Sequence, residues 1–162
     1  MTFKTDLDIK GLNNLLSGLK QELKVKVGVL GGKEKKRKGE EEAPTLAFVG
    51  QIQEFGSVSK KIPKRSFIRE PLQKHLKKKV EQNKDKIKKA IFDNVNNKVD
   101  VKKAYELLGI IAQSIIQESF HNKNDGKWPR NKPSTIARKG FDNPLIDTGR
   151  LSKSITYKVV KK

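Results

Sequence analysis

The sequence predicts an α+β fold, a small, mainly antiparallel sheet packed against two long helices plus shorter helices. Apolar residues fall at helical spacing over 7–23, 44–55, 70–95 and 101–120, and alternate at period two over 24–30 and 155–160. Strands lie toward both ends of the chain with helices between them, and the 162 residues match one domain rather than two.

The elements follow in order. Ile9, Leu12, Leu15, Leu16, Leu19 and Leu23 draw one stripe along a first helix. Lys24-Val25-Lys26-Val27-Gly28-Val29-Leu30 then places Val25, Val27 and Val29 on one face of a half-buried strand. Residues 31–43 hold Gly31-Gly32, a basic run, Gly39 and Glu40-Glu41-Glu42 with no large apolar residue, and are expected to be a mobile charged loop. Pro44 suits the first turn of a helix bearing Leu46, Ala47, Val49, Ile52 and Phe55, which Gly56 stops. Residues 57–64 are polar and end in Ile62-Pro63, and Phe67-Ile68 fit a short strand.

Pro71 opens a long charged helix over roughly 70–95, with a thin stripe of Leu72, Leu76, Val80, Ile87, Ala90 and Ile91. After a hinge at 94–100, the wider arc of Tyr105, Leu108, Ile111, Ala112, Ile115 and Ile116 marks the central core helix, 101–120. A polar loop over 121–131 carries Trp128-Pro129, and a short helix over 134–139 stands behind Pro133. The chain turns at 140–144 and closes in a strand where Ile155, Tyr157 and Val159 alternate with Thr156, Lys158 and Val160.

Charge bounds the function. The 37 basic and 18 acidic residues leave a formal charge of +19, which attracts polyanions. Only six of the basic residues are Arg, so the bidentate forks that clamp phosphates specifically are scarce. Lys77, Lys78, Lys79, Lys88 and Lys89 are the candidate polyanion contacts. Without cysteine there is neither a disulfide nor a thiolate metal site. No apolar run approaches the roughly 20 residues of a membrane span, and residues 1–10 lack the apolar core of a signal peptide. The chain is expected to stay in the host cytoplasm until it is assembled, with no membrane partner.

No catalytic, metal or cofactor constellation emerges. Asp147-Thr148-Gly149 has the local pattern of an aspartic protease, but such enzymes are nearly all β and the pattern stands once. The preferred reading is that Asp147 or Thr148 caps a short helix over 149–154. Gly31-Gly32-Lys33 fails as a phosphate-binding loop, because Val27 and Glu34 occupy the places of its first glycine and its Ser/Thr. His75 lies among lysines and His121 in a polar stretch, with no converging ligands in the spacing. Trp128 reads first as a packing anchor under its loop and second as an interface hot spot. The expectation is a non-enzyme without cofactor.

Three groups of residues together resemble a known family. They are the strand at 25–31 with Ile52-Gln53-Glu54-Phe55-Gly56; then Ile62-Pro63-Lys64-Arg65-Ser66-Phe67-Ile68-Arg69; then Trp128-Pro129, Thr135-Ile136-Ala137-Arg138-Lys139-Gly140 and Pro144-Leu145-Ile146-Asp147-Thr148-Gly149-Arg150-Leu151 with Ser154-Ile155. They are similar to the tail-completion or neck proteins of tailed bacteriophages, the head–tail joining or virion morphogenesis family. The likeness spans about residues 24–160 and is most specific in its last stretch. It implies a structural subunit of a homo-oligomeric ring, usually a hexamer, at the head–tail junction of the virion. DNA passes through the ring, and other neck, connector and tail-tube or terminator proteins are its partners. Phe67 and Trp128 would anchor loops, and residues 147–150 would turn the chain into its last strand. The loop at 33–42 and the helix at 74–89 are more charged than the family pattern, so those lysines should face outward or meet acidic partners, or else the ring is not the wall of the DNA conduit. The competing reading is a basic, non-specific nucleic-acid-binding module.

Overall fold

The computed structural model describes residues 22–30, 44–92 and 101–161. The helix expected over 7–23 falls outside them except for its last two positions, and the charged loop at 31–43 and the hinge at 94–100 fall outside them entirely. Leu23 is not helical. It opens strand β1 (Leu23–Val29), which pairs antiparallel with β2 (Ile155–Lys161) in the only sheet of the described residues. Val25 faces Val159, Val27 faces Tyr157 and Val29 faces Ile155, so the apolar residues of both strands share a face. The α+β fold is therefore as the sequence predicts.

Between the strands lie α1 (Leu46–Phe55), α2 (Arg69–Gln82), α3 (Lys84–Phe92), α4 (Lys102–Asn122), α5 (Pro133–Lys139) and α6 (Arg150–Ser154). The central element is α4. It touches both strands on one side and α2 and α3 on the other, and buries Ala104, Ile111, Ala112, Ile115, Ile116 and Phe120. Its close approach to the sheet requires Gly109. A Cβ there would stand 2.6 Å from Tyr157 Cγ and 2.8 Å from Cε2, inside any real contact distance.

Several boundaries differ from the sequence reading, each for a local reason. Pro44 lies outside α1. Thr45 is the cap, its Oγ1 accepting from Phe48 N at 3.2 Å. The expected helix over 70–95 is two helices, because Asn83 leaves helical geometry and its Nδ2 donates to the Lys79 carbonyl at 2.8 Å. Pro71 is its third residue, where no N–H is needed. Residues 57–62 close a tight turn through paired bonds between Ser57 and Ile62. Neither Asp147 nor Thr148 caps α6. Gly149 takes that place in a left-handed conformation, φ 73°, and both side chains are exposed. His121 belongs to the last turn of α4, and His75 is half-buried with Nε2 3.5 Å from Asp125. Pro133 and Gly140 frame α5 as expected.

Replacing Gly109 with Ala should lower the unfolding free energy by about 1–3 kcal/mol, measured by urea titration. Adding Tyr157→Val should recover part of that loss. Equal stability of the Gly109→Ala single variant and wild type would show that α4 and the sheet can separate freely.

Candidate functional site: a buried carboxylate and a basic cleft

The site begins with one acid on the inner face of α1. Glu54 is only 5% exposed. Its carboxylate accepts from Ser66 Oγ at 2.6 Å, from the backbone N–H groups of Phe67 (2.8 Å), Ile68 (2.9 Å) and Arg69 (3.2 Å), and from Arg69 Nε at 3.3 Å. These donors lie at the start of α2, whose N-cap residue Ile68 has no capping side chain. The first turn is nevertheless satisfied. Arg69 N–H goes to Glu54, Glu70 N–H to Ser66 Oγ at 3.1 Å, Pro71 has none, and Leu72 N–H reaches the Ile68 carbonyl. Phe67 and Ile68 are thus no strand, since their N–H groups serve a side chain. Burial pushes the Glu54 pKa up, but the bonds from Ser66, Ile68, Arg69 and Phe67 outweigh it and leave the pKa below its ordinary value of 4.5.

The segment so held directs its side chains two ways. Phe67 points inward and is fully buried. Its ring lies 5.2 Å from that of Phe120, which meets Trp128 edge-on at 5.9 Å. Trp128 Nε1 donates to the Ser66 carbonyl at 3.2 Å, so the indole is a core residue with its polar atom satisfied. Arg65 points toward the 128–131 loop. Its Nε donates to the Pro129 carbonyl and Nη2 to the Arg130 carbonyl, both at 2.9 Å, while its backbone N–H reaches the Gln53 carbonyl. Asp142 holds the far side of that loop through Arg130 Nε (2.7 Å) and Asn131 N–H (3.1 Å). Those two bonds bring the Asp142 pKa below the usual carboxylate range.

The remaining motif residues close the arrangement. Gly56 ends α1 at φ 77°, and a Cβ there would lie 2.9 Å from Lys64 N. Phe55 is exposed beneath the Arg69 guanidinium, 4.5 Å from its ring centre. Leu151 is buried in the same cluster as Phe67, Phe120 and Trp128, and Leu145 and Ile146 pack against it.

Between α1, the 61–65 segment, α5 and residues 145–151 lies an open cleft of about 500 Å³. Leu46, Val49, Ile62, Pro63, Leu145 and Ile146 supply apolar lining, and Lys61, Arg65, Lys132, Arg138, Lys139 and Arg150 supply positive charge. Asp147 is the single acid among the described lining residues. Lys139 Nζ donates to the Asn143 carbonyl at 2.7 Å. Its pKa is lowered first by burial and also by Arg65 and Arg138, against Asp147 and Asp142.

The five lysines singled out as polyanion contacts lie elsewhere. Lys77, Lys78, Lys88 and Lys89 are exposed on α2 and α3. Lys79 is instead half-buried, 3.4 Å from Glu118 on α4. Among the described residues no group of three or more His, Asp or Glu could hold a metal ion, and no helix is long and apolar enough to cross a membrane. Sequence reading missed Glu54 as the organising residue. The available signal was an acid four residues after Gly50 on the inward face of an amphipathic helix.

Glu54→Gln should destabilise the protein by about 2–3 kcal/mol at neutral pH, since it removes a charge that several donors face. The folded-state pKa is depressed, so this contribution is fully present above 4.5 and is lost as the pH falls through the folded value. Urea titrations of both proteins at about pH 7 and about pH 3 should show the difference shrink. An undiminished gap at the lower pH would mean that the carboxylate charge is not what matters.

No family model matches the chain, and no curated protein or solved structure matches it.

Proposed function

We propose that this chain is a structural assembly protein of a tailed-phage virion, forming a ring at the head–tail junction through which DNA passes. The supporting observation is how the residues behind the family resemblance meet. Glu54 binds residues 66–69, Arg65 binds the carbonyls of 129 and 130, Trp128 binds the Ser66 carbonyl, and Leu151 joins the cluster of Phe67 and Trp128. Stretches far apart in sequence thus form one unit. Their polar atoms are directed at backbone groups, as befits a scaffold that presents surfaces to neighbours. Phe48, Phe55 and Val58 are large apolar residues left exposed on and just after α1, where a neighbouring subunit could cover them.

Electron microscopy of lysates from a phage or prophage lacking this gene tests the reading. Filled heads lying apart from tails, joined again by added protein, are the expected outcome. Tails of abnormal length would place the ring at the tail terminus, and normal infectious particles would refute the proposal.

A second reading, a non-specific nucleic-acid-binding module, is favoured by the exposure of Lys77, Lys78, Lys88 and Lys89. On that reading DNA affinity falls steeply with salt, and changing these four to Gln reduces the slope by about 3–4. Assembly function with no change in slope would set it aside.

A further inference from the structure

We propose that the basic cleft receives a linear acidic segment of a partner protein, its carboxylates on the cationic rim and an apolar side chain against Leu145 and Ile146. This stands on the cleft alone and does not depend on ring formation. The first ground is charge. Among the described residues six cations and one acid line the space, and Lys61, Lys132 and Arg138 are exposed there. Arg65 adds a buried cation whose hydrogen-bond partners are neutral carbonyl and amide oxygens, with Asp142 the acid that acts on its charge. A second cation, Lys139, is likewise bonded to a carbonyl. An anionic occupant gains most from the three exposed cations, Lys61, Lys132 and Arg138.

The second ground is the apolar lining. Leu145 and Ile146 are backed by the core cluster, so that wall of the cleft is firm. Leu145 is held at φ 63°, a conformation rare outside glycine, which presses the same point. A purely anionic ligand makes no use of such a surface, whereas a peptide with a Leu or Ile beside its acids does. Nucleic acid fits poorly. Single strands are held by stacking on aromatic side chains, and none lines the cleft among the described residues. Duplex DNA needs a broad cationic surface, and the exposed lysines of α2 and α3 lie outside the cleft.

Fluorescence anisotropy with the full chain tests the assignment. The probes are a labelled peptide GDELDELG, its serine counterpart GDESDESG, and a duplex of about 20 base pairs. The leucine peptide should bind in the micromolar range and about tenfold tighter than the serine peptide. The double change Lys132→Gln with Arg138→Gln should weaken it about tenfold, while Lys77→Gln with Lys78→Gln should change it less than about twofold. Both cleft residues are exposed, so thermal melting should be unaltered. Should that pair melt early, Lys61→Gln with Lys132→Gln replaces it. The proposal is overturned if the leucine peptide fails to bind, if the serine peptide binds equally well, or if both pairs of changes weaken binding alike. It is also overturned if the cleft variant loses duplex affinity in the same proportion, which would make the occupant a nucleic acid.

Discussion

The buried carboxylate of Glu54 is the constraint on which the rest of this structure depends. A charge out of water is costly unless donors replace the lost hydration. Here one hydroxyl and three consecutive backbone N–H groups do so. Such geometry leaves the 66–69 segment little choice of path. Because the N–H groups of Phe67, Ile68 and Arg69 turn toward Glu54, Phe67 enters the core on one side and Arg65 leaves on the other. The start of α2 is fixed by the same act, since Ser66 Oγ both donates to Glu54 and accepts from Glu70. One acid thus acts as a helix cap, a loop clamp and the link between α1 and the core.

Close approaches then turn this link into a fold. A Cβ at Gly50 would lie 3.4 Å from Phe67 and 3.6 Å from Leu151, which places α1 directly on the aromatic cluster. Gly109 does the same for α4 and the sheet through Tyr157. The core is small, with Phe67, Ile116, Phe120, Trp128, Leu151 and Ile155 at its centre. Burial of each large side chain contributes about 1.5–3 kcal/mol, so each contact matters to a chain with so few aromatics. Trp128 illustrates the economy of the design, filling volume against Phe120 while its indole N–H holds the Ser66 carbonyl.

How much of this was legible in the sequence follows from the range of the interactions. The strands were legible because alternation of Val25, Val27 and Val29 with lysines is a local signal. The wide apolar arc of α4 was legible for the same reason, and Pro133 and Gly140 framed α5 correctly. The break at Asn83 was not. Val80 and Ile87 are seven residues apart, a spacing that an unbroken helix would also give. Phe67-Ile68 looked like a strand because the acceptor for their N–H groups lies on another helix, thirteen and fourteen residues away. Asp147 and Thr148 had the chemistry of a cap, yet Gly149 could enter the left-handed region without strain and took the position. Arg65, Leu145 and residues 147–151 were singled out by type and order, whereas Glu54 and the cleft cations Lys61, Lys132, Arg138 and Lys139 were not. The convergence around Glu54 was not legible, since convergence is a property of the tertiary structure.

Two of the positively charged surfaces among the described residues are unlike. On α2 and α3 the charge consists of exposed lysines, point charges on flexible stems over solvated helix faces, which suit loose, salt-sensitive contact with any polyanion. At the cleft it consists of arginines and lysines set around apolar residues that the core supports from behind. The two differ in what stiffens them. Arg65 belongs to the cleft and to the clamp at once, bonded through its guanidinium to Pro129 and Arg130 and through its backbone to Gln53, one residue before Glu54. Its planar fork aims Nε and Nη2 at two successive carbonyls in a fixed geometry that the freely rotating ammonium of a lysine does not impose. The segment that Glu54 binds therefore also carries one of the cleft's charged lining residues, and the cleft and the core share that segment.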